Sequence, residues 1–334
     1  MKGLFVSPSP HRATEMSTAK IMLTVIIALM PSAVAGCMFF GPRAAAVLAV
    51  CVCSCVLFEF LCRIIMKREQ TVGDLSAVVT GLLLGMNLPA TVPIYVAVIG
   101  SFVAIVVVKQ LFGGIGQNFA NPAIAARIVL MLSFSPQMTN WVKPYWYTGV
   151  VDAESSATPL AAKWFEFSDP AVSSVGTSLR KMAPFTLSEM FFGETGGCIG
   201  ETCAAALIAG GLFLIITRII SPAAPVAFIG SFALLTFLYT GSAVETVYGV
   251  LAGGLLIGAF FMATDYATTP LTAKGKAIFG IGCGVITFII RNFGSYPEGV
   301  SFSILLMNLL TPYIDRLTGT KPLGAKKTAK GGNS

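Results

Sequence analysis

Residues 81–93 read "GLLLGMNLPATVP", in which two glycines frame three leucines and a polar, proline-containing break follows. Residues 254–270 read "GLLIGAFFMATDYATTP" and repeat that order with a second polar break. The first stretch lies in the third apolar run of the chain, and the second lies in the third apolar run after its long polar segment. Glycine and leucine are common in membrane helices, so it is the matched position that predicts two related halves.

The composition predicts that these stretches lie in a membrane. The chain has 334 residues, of which 55% are hydrophobic and 11% are charged, whereas a soluble domain carries roughly 25% charged residues. A helix needs about 20 mostly apolar residues to cross the hydrocarbon layer. The runs that approach this length are 21–40, 43–62, 73–90, 92–108, 119–135, 198–217, 223–240, 245–264, 277–290 and 299–313. The sequence therefore predicts an all-α integral membrane protein with about ten transmembrane helices, several of them tilted or broken.

The ten runs divide into two groups of five. Five helices form an odd number, so the repeats at 21–135 and 198–313 would cross the bilayer in opposite directions, an inverted repeat. A long polar loop at 136–197 separates them, and the segments 1–20 and 314–334 flank them. Matched breaks in two such halves are the best pointer in a sequence to a binding site near the middle of the membrane.

The positive charge of the chain follows its predicted topology. If residues 1–20 are cytoplasmic, 15 Lys and Arg residues fall on that side and 6 on the other, while Arg127 lies inside a span. The positive-inside rule then places both termini in the cytoplasm and the loop 136–197 on the outer face. Topology explains the net charge of +7 without a nucleic-acid partner.

Polar residues inside spans are costly and by default mark function. Arg127 is the last residue of "GGIGQNFANPAIAAR" at 113–127, and we include it among the candidate cofactor-binding residues. The glycines of this stretch allow a ligand to approach the backbone closely, and Asn118 and Asn121 supply hydrogen-bonding side chains. A tight re-entry turn explains the same residues equally well. For Asp265, at the end of span eight, we expect a solvated pair with Lys274.

Eight cysteines raise the question of metal binding. None of them forms the C-x-x-C spacing of zinc or iron–sulfur ligands, so we predict no metal site. The cysteines within spans are interpreted as small apolar core residues. Cys198 and Cys203 could pair or ligate a group near the outer surface.

Five motifs together resemble a known family over nearly the whole chain. They are "SPHR" at 9–12, "GGIGQNFANPA" at 113–123, "SSATPLA" at 155–161, "FMATDYATTP" at 261–270 and "RNFGSYPEGVSFSILLMNLLTPYID" at 291–315. In this order they resemble the D subunit of the Rnf complex, whose near relative is the B subunit of the Na⁺-translocating NADH:quinone oxidoreductase.

The resemblance implies a covalent flavin in the outer loop. In that family a dedicated flavin transferase attaches FMN through a phosphoester bond to the threonine of an Asp-x-x-Ser-Gly-Ala-Thr pattern. "DAESSAT" at 152–158 matches it with Asp152, Ser155, Ala157 and Thr158, so Thr158 is the implied acceptor. Ser156 replaces the glycine, and serine is strained there if the turn needs a positive φ. Without the resemblance, such a Ser/Thr cluster is an ordinary turn.

The resemblance also implies a noncovalent riboflavin between the helices. The polar stretch at 113–127 makes Asn118, Asn121 and Pro122 the candidates for this site. Thr264 and Asp265 in the second half are their counterparts and could line a flavin or an ion path.

The function implied is that of one subunit in a multisubunit membrane complex. The Rnf complex couples electron flow between reduced ferredoxin and NAD⁺ to movement of Na⁺ or H⁺ across the bacterial or archaeal cytoplasmic membrane. This sequence has neither a nucleotide-binding glycine fingerprint nor an iron–sulfur cysteine cluster. Those centres would belong to partner subunits, alongside a second flavin-carrying subunit, and no residue of this chain would be catalytic by itself. The alternatives are a transporter or channel without redox activity and a purely structural membrane anchor.

Overall fold

The computed structural model describes residues 16–148, 160, 186–294 and 298–319, and within these ranges the fold is all-helical. An isolated antiparallel bridge joins Pro89 to Cys198. The helices before the long loop are α1 (Thr18–Phe40), α2 (Pro42–Ile65), α3 (Ser76–Met86), α4 (Ile94–Phe102, continuing as a π-helix over Val103–Gln110), α5 (Pro122–Ser133) and α6 (Ser135–Met138). Those after it are α7 (Leu187–Phe192), α8 (Ala204–Ile216), α9 (Ala223–Thr240), α10 (Ala243–Leu251), α11 (Leu255–Ile257, continuing as a π-helix over Gly258–Met262), α12 (Ala273–Phe293) and α13 (Val300–Thr318).

The long apolar helices confirm a multi-pass membrane protein. In the described ranges α1, α2, α9 and α12 are long and apolar enough to cross a membrane, and α10 with α11 makes a fifth span if the pair is counted as one. Helices α3, α4, α5 and α8 are apolar but shorter. The arrangement of ten spans in two inverted repeats stays a prediction.

The predicted span 245–264 contains a bend in addition to the polar break that the sequence indicated after it. Helices α10 and α11 meet at an angle of 68°, on the N-terminal side of "GLLIG", whereas the polar break that we expected to interrupt the span comes after it. Gly253 has φ +65°, a conformation that glycine adopts at little cost. Arg291 on α12 donates to the carbonyl oxygens of Gly249 at 2.7 Å and Ala252 at 3.1 Å, and so stabilises the C-terminal end of α10.

The two halves pack around one common core. Buried hydrophobic side chains from both halves form a single cluster, and α1 packs against α8 while α5 packs against α13. A Cβ on Gly36 of α1 would lie 2.0 Å from the carbonyl oxygen of Ile199, so only glycine permits this approach. The backbone N–H groups of Ile199 and Gly200 donate to Leu88 O at 3.1 Å and Met86 O at 2.8 Å. These bonds bring the first polar break into the interior, against the segment that precedes α8.

Candidate functional site

The predicted FMN segment is not among the described residues. Thr158 lies outside them together with Asp152, Ser155, Ser156 and Ala157. The other candidate residues are all described, and they line two separate clefts.

The first cleft, called the Asn118 cleft below, has an empty volume of about 740 Å³ and draws on both halves of the chain. Its lining includes every candidate flavin or ion-path residue that we placed within the membrane domain except Arg127: Asn118, Asn121, Pro122, Thr264 and Asp265. The fold thus brings together the polar stretch 113–127 and its second-half counterpart, Thr264 and Asp265, as expected for the implied riboflavin site.

Asn121 and Pro122 fix the start of α5. The Asn121 Oδ1 atom accepts from the N–H groups of Ala123 at 3.1 Å and Ile124 at 3.4 Å, and Pro122 occupies the first turn, where no N–H is needed. The Asn121 Nδ2 atom donates to Met262 O at 3.3 Å, which joins the two halves. The side chain of Asn121 is therefore used by the fold, as the re-entry turn interpretation required.

Asn118 differs from Asn121 because part of its side chain has no partner. Its Oδ1 atom is buried and accepts no hydrogen bond from any described residue. A buried amide oxygen without a donor is costly, so this atom is a candidate acceptor for a ligand that enters the cleft.

Asp265 is not the solvated partner of Lys274 that the sequence suggested. Its carboxylate accepts from Thr268 Oγ1 at 3.2 Å and from the N–H of Ala267 at 3.5 Å. Burial raises the pKa of the Asp265 carboxyl, and these hydrogen bonds oppose the rise. The carboxylate caps its own turn because donors within that turn are closer than the lysine.

A buried ion pair beside the Asn118 cleft was missed in the sequence. Lys109 Nζ lies 2.7 Å from Glu59 Oε2 and donates to Ser76 Oγ at 2.6 Å, while Thr71 Oγ1 donates to Glu59 Oε1 at 2.9 Å. The side chains of Lys109 and Glu59 are 2% and 0% exposed. The four-residue spacing of Glu59 and Arg63 on α2 would also allow an ion pair, but Glu59 pairs with Lys109, which reaches the carboxylate from the π-helical end of α4. The position of a lysine directly after an apolar run was the available signal.

The second cleft, called the Arg127 cleft below, has an empty volume of about 830 Å³. Arg127, which is 2% exposed, forms an ion pair with Glu298 and donates to Asn87 Oδ1. Its Nη2 atom also lies 3.5 Å from the sulfur of Cys198. Arg127 thus belongs to a different site from Asn118, and its carboxylate partner sits in the "PEG" of the last motif, which the sequence reasoning did not single out.

Comparison with known proteins finds relatives that match nearly the whole chain in sequence. The family model described as "NQR2, RnfD, RnfE family" matches residues 5–324. The chain belongs to the NQR2, RnfD, RnfE family.

Relatives of this NQR2, RnfD, RnfE family member include D subunits of both Na⁺- and proton-translocating complexes. The chain is 45% identical over 330 residues to the D subunit of the Na⁺-translocating ferredoxin:NAD⁺ oxidoreductase complex of Acetobacterium woodii, with 98% of each chain covered. It is 40% identical over 331 residues to the D subunit of the proton-translocating ferredoxin:NAD⁺ oxidoreductase complex of Clostridium ljungdahlii, again with 98% of each covered. The D subunit of an ion-translocating oxidoreductase complex of Stutzerimonas stutzeri is 35% identical, with 94% of each covered.

Leu160 ties the long loop of this family member to the Arg127 cleft. It lines the cleft and packs with Met190, Tyr248 and Ala252. Leu160 follows Thr158 by two positions in the sequence, so the chain just after the predicted flavin acceptor is anchored at this cleft.

Asn87 from the first break and Met262 from the second connect the two clefts. Asn87, from the first break, accepts from Arg127 through Oδ1, and its Nδ2 atom lies 3.8 Å from the sulfur of Met262. Met262 ends the π-helix that follows α11, and its carbonyl oxygen accepts from Asn121 at the Asn118 cleft. The wall between the two clefts is therefore built by both halves of this family member.

Cys198 and Cys203 are free thiols and form no disulfide. Cys198 is buried, and its sulfur lies 3.2 Å from the carbonyl oxygen of Asn87. Cys198 therefore packs at the Arg127 cleft with a weak hydrogen bond to the first break.

Proposed function

We propose that the chain is the D subunit of a membrane-bound, ion-translocating ferredoxin:NAD⁺ oxidoreductase complex, in which it carries FMN and relays electrons to its partners. The names of the Acetobacterium woodii and Clostridium ljungdahlii relatives, matched over 98% of each chain, support this place in the complex. Ferredoxin, NAD⁺ and iron–sulfur chemistry is then supplied by other subunits. The chain is not catalytic alone.

FMN is attached covalently at Thr158 by a flavin transferase and occupies the Arg127 cleft. The observation that supports this placement is Leu160, which anchors the loop in that cleft. The lining suits a flavin because it combines an aromatic ring, Trp141, with the polar side chains of Arg127 and Thr202. When bound, FMN supplies the electron transfer, and the protein contributes position and electrostatics.

Riboflavin binds without a covalent bond in the Asn118 cleft. The Asn118 Oδ1 atom has no partner among the described residues and suits the ring imide N–H of a flavin. Thr80, Thr264 and Lys109 add polar side chains to a lining that is otherwise mostly apolar. Electrons would pass between the clefts across the wall at Asn87 and Met262.

The two clefts open on opposite membrane faces in this proposal. The Arg127 cleft faces outward with the flavin loop, and both termini are cytoplasmic, as the distribution of Lys and Arg predicts. This orientation goes with ten spans in two inverted repeats. The number of described helices is compatible with five spans before and five after the loop if α10 and α11 count as one and the short helices α6 and α7 are left out. The site of action is the bacterial cytoplasmic membrane.

The proposal is tested by separating covalent from released flavin. The full chain is purified from a host that has the flavin transferase and is then denatured, and flavin fluorescence is measured in the protein band and in the supernatant. We expect covalent FMN in the band and riboflavin in the supernatant. Thr158→Val should abolish only the covalent signal, while the matched Thr148→Val variant, which alters an exposed threonine outside the acceptor pattern, should keep it. A wild-type protein without either flavin would favour a transporter or channel without redox activity.

A further inference from the structure

Arg63, near the C-terminal end of α2, is a buried arginine without an acceptor. It is 8% exposed, and its side chain donates to no atom of the described residues. The Nε atom is fully enclosed, whereas the two Nη atoms reach the surface. A guanidinium carries five N–H donors, and burying a charged group without a partner is strongly unfavourable. The fold therefore leaves a cationic donor group open to a ligand.

No described carboxylate supplies the counter-charge of Arg63. Glu59 lies one turn earlier on α2, but its carboxylate pairs with Lys109 at 2.7 Å. The other ion pair within the described ranges lies at the Arg127 cleft. Glu69, exposed just after α2, belongs to neither pair. Arg63 thus lacks both a hydrogen-bond acceptor and an opposite charge.

A glycine in the loop after α4 holds this guanidinium in place. A Cβ on Gly114 would lie 2.4 Å from Arg63 Nη2, so the side chain packs directly on the loop backbone. Gly114 has φ +106°, a conformation that glycine adopts at little cost. This contact orients the guanidinium on one side and supplies no acceptor, so its donors stay available on the other.

A second arginine meets Arg63 at the same helix end. Lys67 has φ +51°, and the turn at this residue lets the N–H of Arg68 donate to Arg63 O at 2.9 Å. The Nη1 atom of Arg68 donates to Gln110 O at 3.2 Å, four residues before Gly114. Both arginines therefore converge on the start of the glycine loop.

The surface beside the two arginines is apolar. Ile64 and Ile65 are 53% and 78% exposed, and Leu111 and Phe112 are 59% and 50% exposed. On a multi-pass membrane protein such side chains face lipid acyl chains, since contact with water is unfavourable. Charged donors above an apolar surface match the two parts of a phospholipid. Basic pockets between membrane helices on the cytoplasmic side, where the proposed topology puts this end of α2, suit anionic headgroups.

We propose that Arg63 and Arg68 bind the phosphate group of an anionic phospholipid, whose acyl chains lie over Ile64, Ile65 and Leu111. The planar fork of an arginine suits this ligand, because it donates two parallel hydrogen bonds to phosphate oxygens. The phosphate supplies the acceptor and the charge that Arg63 lacks in the fold. Neither arginine lines the Asn118 cleft or the Arg127 cleft, so the site goes beyond the proposed flavin function.

The test is a thermal melt of the full chain, delipidated in detergent micelles, during titration with dioleoyl phosphatidylglycerol. Parallel titrations use dioleoyl phosphatidylcholine, which has the same acyl chains and no net charge, and inorganic phosphate, which has no acyl chains. A ligand that binds only the folded protein raises Tm as its concentration rises. We expect a saturable rise with phosphatidylglycerol and little or none with the other two.

Three variants assign the rise to this site. Arg63→Met keeps an unbranched side chain without charge. It should melt no lower than the parent protein before lipid is added, because an unpaired buried charge is removed, and its apparent affinity for phosphatidylglycerol should fall about fivefold or more. Arg68→Met alters an exposed residue, so it should fold as the parent does and also bind more weakly. Arg218→Met, at an exposed arginine beyond the end of α8, is the matched control and should bind as the parent does.

Four results would overturn the inference. A parent protein that does not respond to phosphatidylglycerol has no such site. An equal rise with phosphatidylcholine means that the headgroup is not selected, and an equal rise with inorganic phosphate means that the anion is not a lipid. A response that Arg63→Met and Arg68→Met leave unchanged places the lipid elsewhere. None of these results bears on FMN attachment, which the flavin measurement tests separately.

Discussion

Lys109→Met removes one partner of the buried ion pair beside the Asn118 cleft. Glu59 is 0% exposed, and without Lys109 its only hydrogen-bond donor among the described residues is Thr71 Oγ1 at 2.9 Å. Breaking a buried pair by deleting one charge costs about 3–5 kcal/mol, because the other charge stays buried. Since folded proteins are stable by only about 5–15 kcal/mol in total, we expect a large loss for one substitution.

The double variant Glu59→Gln/Lys109→Met isolates the interaction. It removes both charges, while glutamine keeps an oxygen that accepts from Thr71. Replacing both partners of a buried pair is often nearly neutral, so the double variant should recover most of the loss. The coupling free energy should then exceed about 2 kcal/mol, which lies within the range for residues in one network.

The assay is the free energy of unfolding from denaturant titrations in mixed micelles, read by intrinsic fluorescence. Lys274→Met is the matched control, because Lys274 is exposed and its loss should change stability by less than about 0.5 kcal/mol. A loss below about 1 kcal/mol for Lys109→Met would refute the reasoning, because that is the value of a solvent-exposed pair.

Three further predictions concern the packing of α1 and the two clefts. Gly36→Ala should destabilise the protein by about 1–3 kcal/mol, because its Cβ would meet the carbonyl of Ile199 at 2.0 Å, whereas Gly230→Ala, with nothing within 4 Å, should be neutral or stabilising in a thermal melt. Asn118→Leu should lower the riboflavin released on denaturation while covalent FMN is unchanged, and equal release would contradict the proposed site. Arg127→Lys should lower the melting temperature, because a lysine lacks the planar fork that contacts Asn87 and Glu298 together. An unchanged melting temperature would show that these contacts contribute little.

Hydropathy located the long helices well and the interrupted ones poorly. The run 223–240 coincides with α9, because an uninterrupted apolar stretch leaves few other solutions in a membrane. The run 73–90 shortened to Ser76–Met86, because Leu75, a left-handed residue, precedes α3 and the polar break ends it. The bend between α10 and α11 was missed because it depends on φ at Gly253 and on Arg291 from another helix, which apolarity does not encode.

Local motifs predicted which residues face the Asn118 cleft, but long-range pairing escaped the sequence. Asn118 and Asp265 were treated as counterparts in the two halves, and both line that cleft. The pairing of Arg127 with Glu298 joins positions 171 residues apart, and that of Lys109 with Glu59 joins positions 50 apart. Such contacts follow from helix packing, so a single sequence without the fold could not specify them.

The central claim is that Thr158 carries FMN, and peptide mass spectrometry tests it most directly. The protein is purified from membranes of a host with the flavin transferase, and the fragment that contains Thr158 is analysed beside the same fragment from Thr158→Val. The account predicts the added mass of an FMN phosphoester on Thr158 and its absence from the variant. An unmodified fragment from the transferase-competent host would contradict the account and would make Ser156 the first residue to suspect.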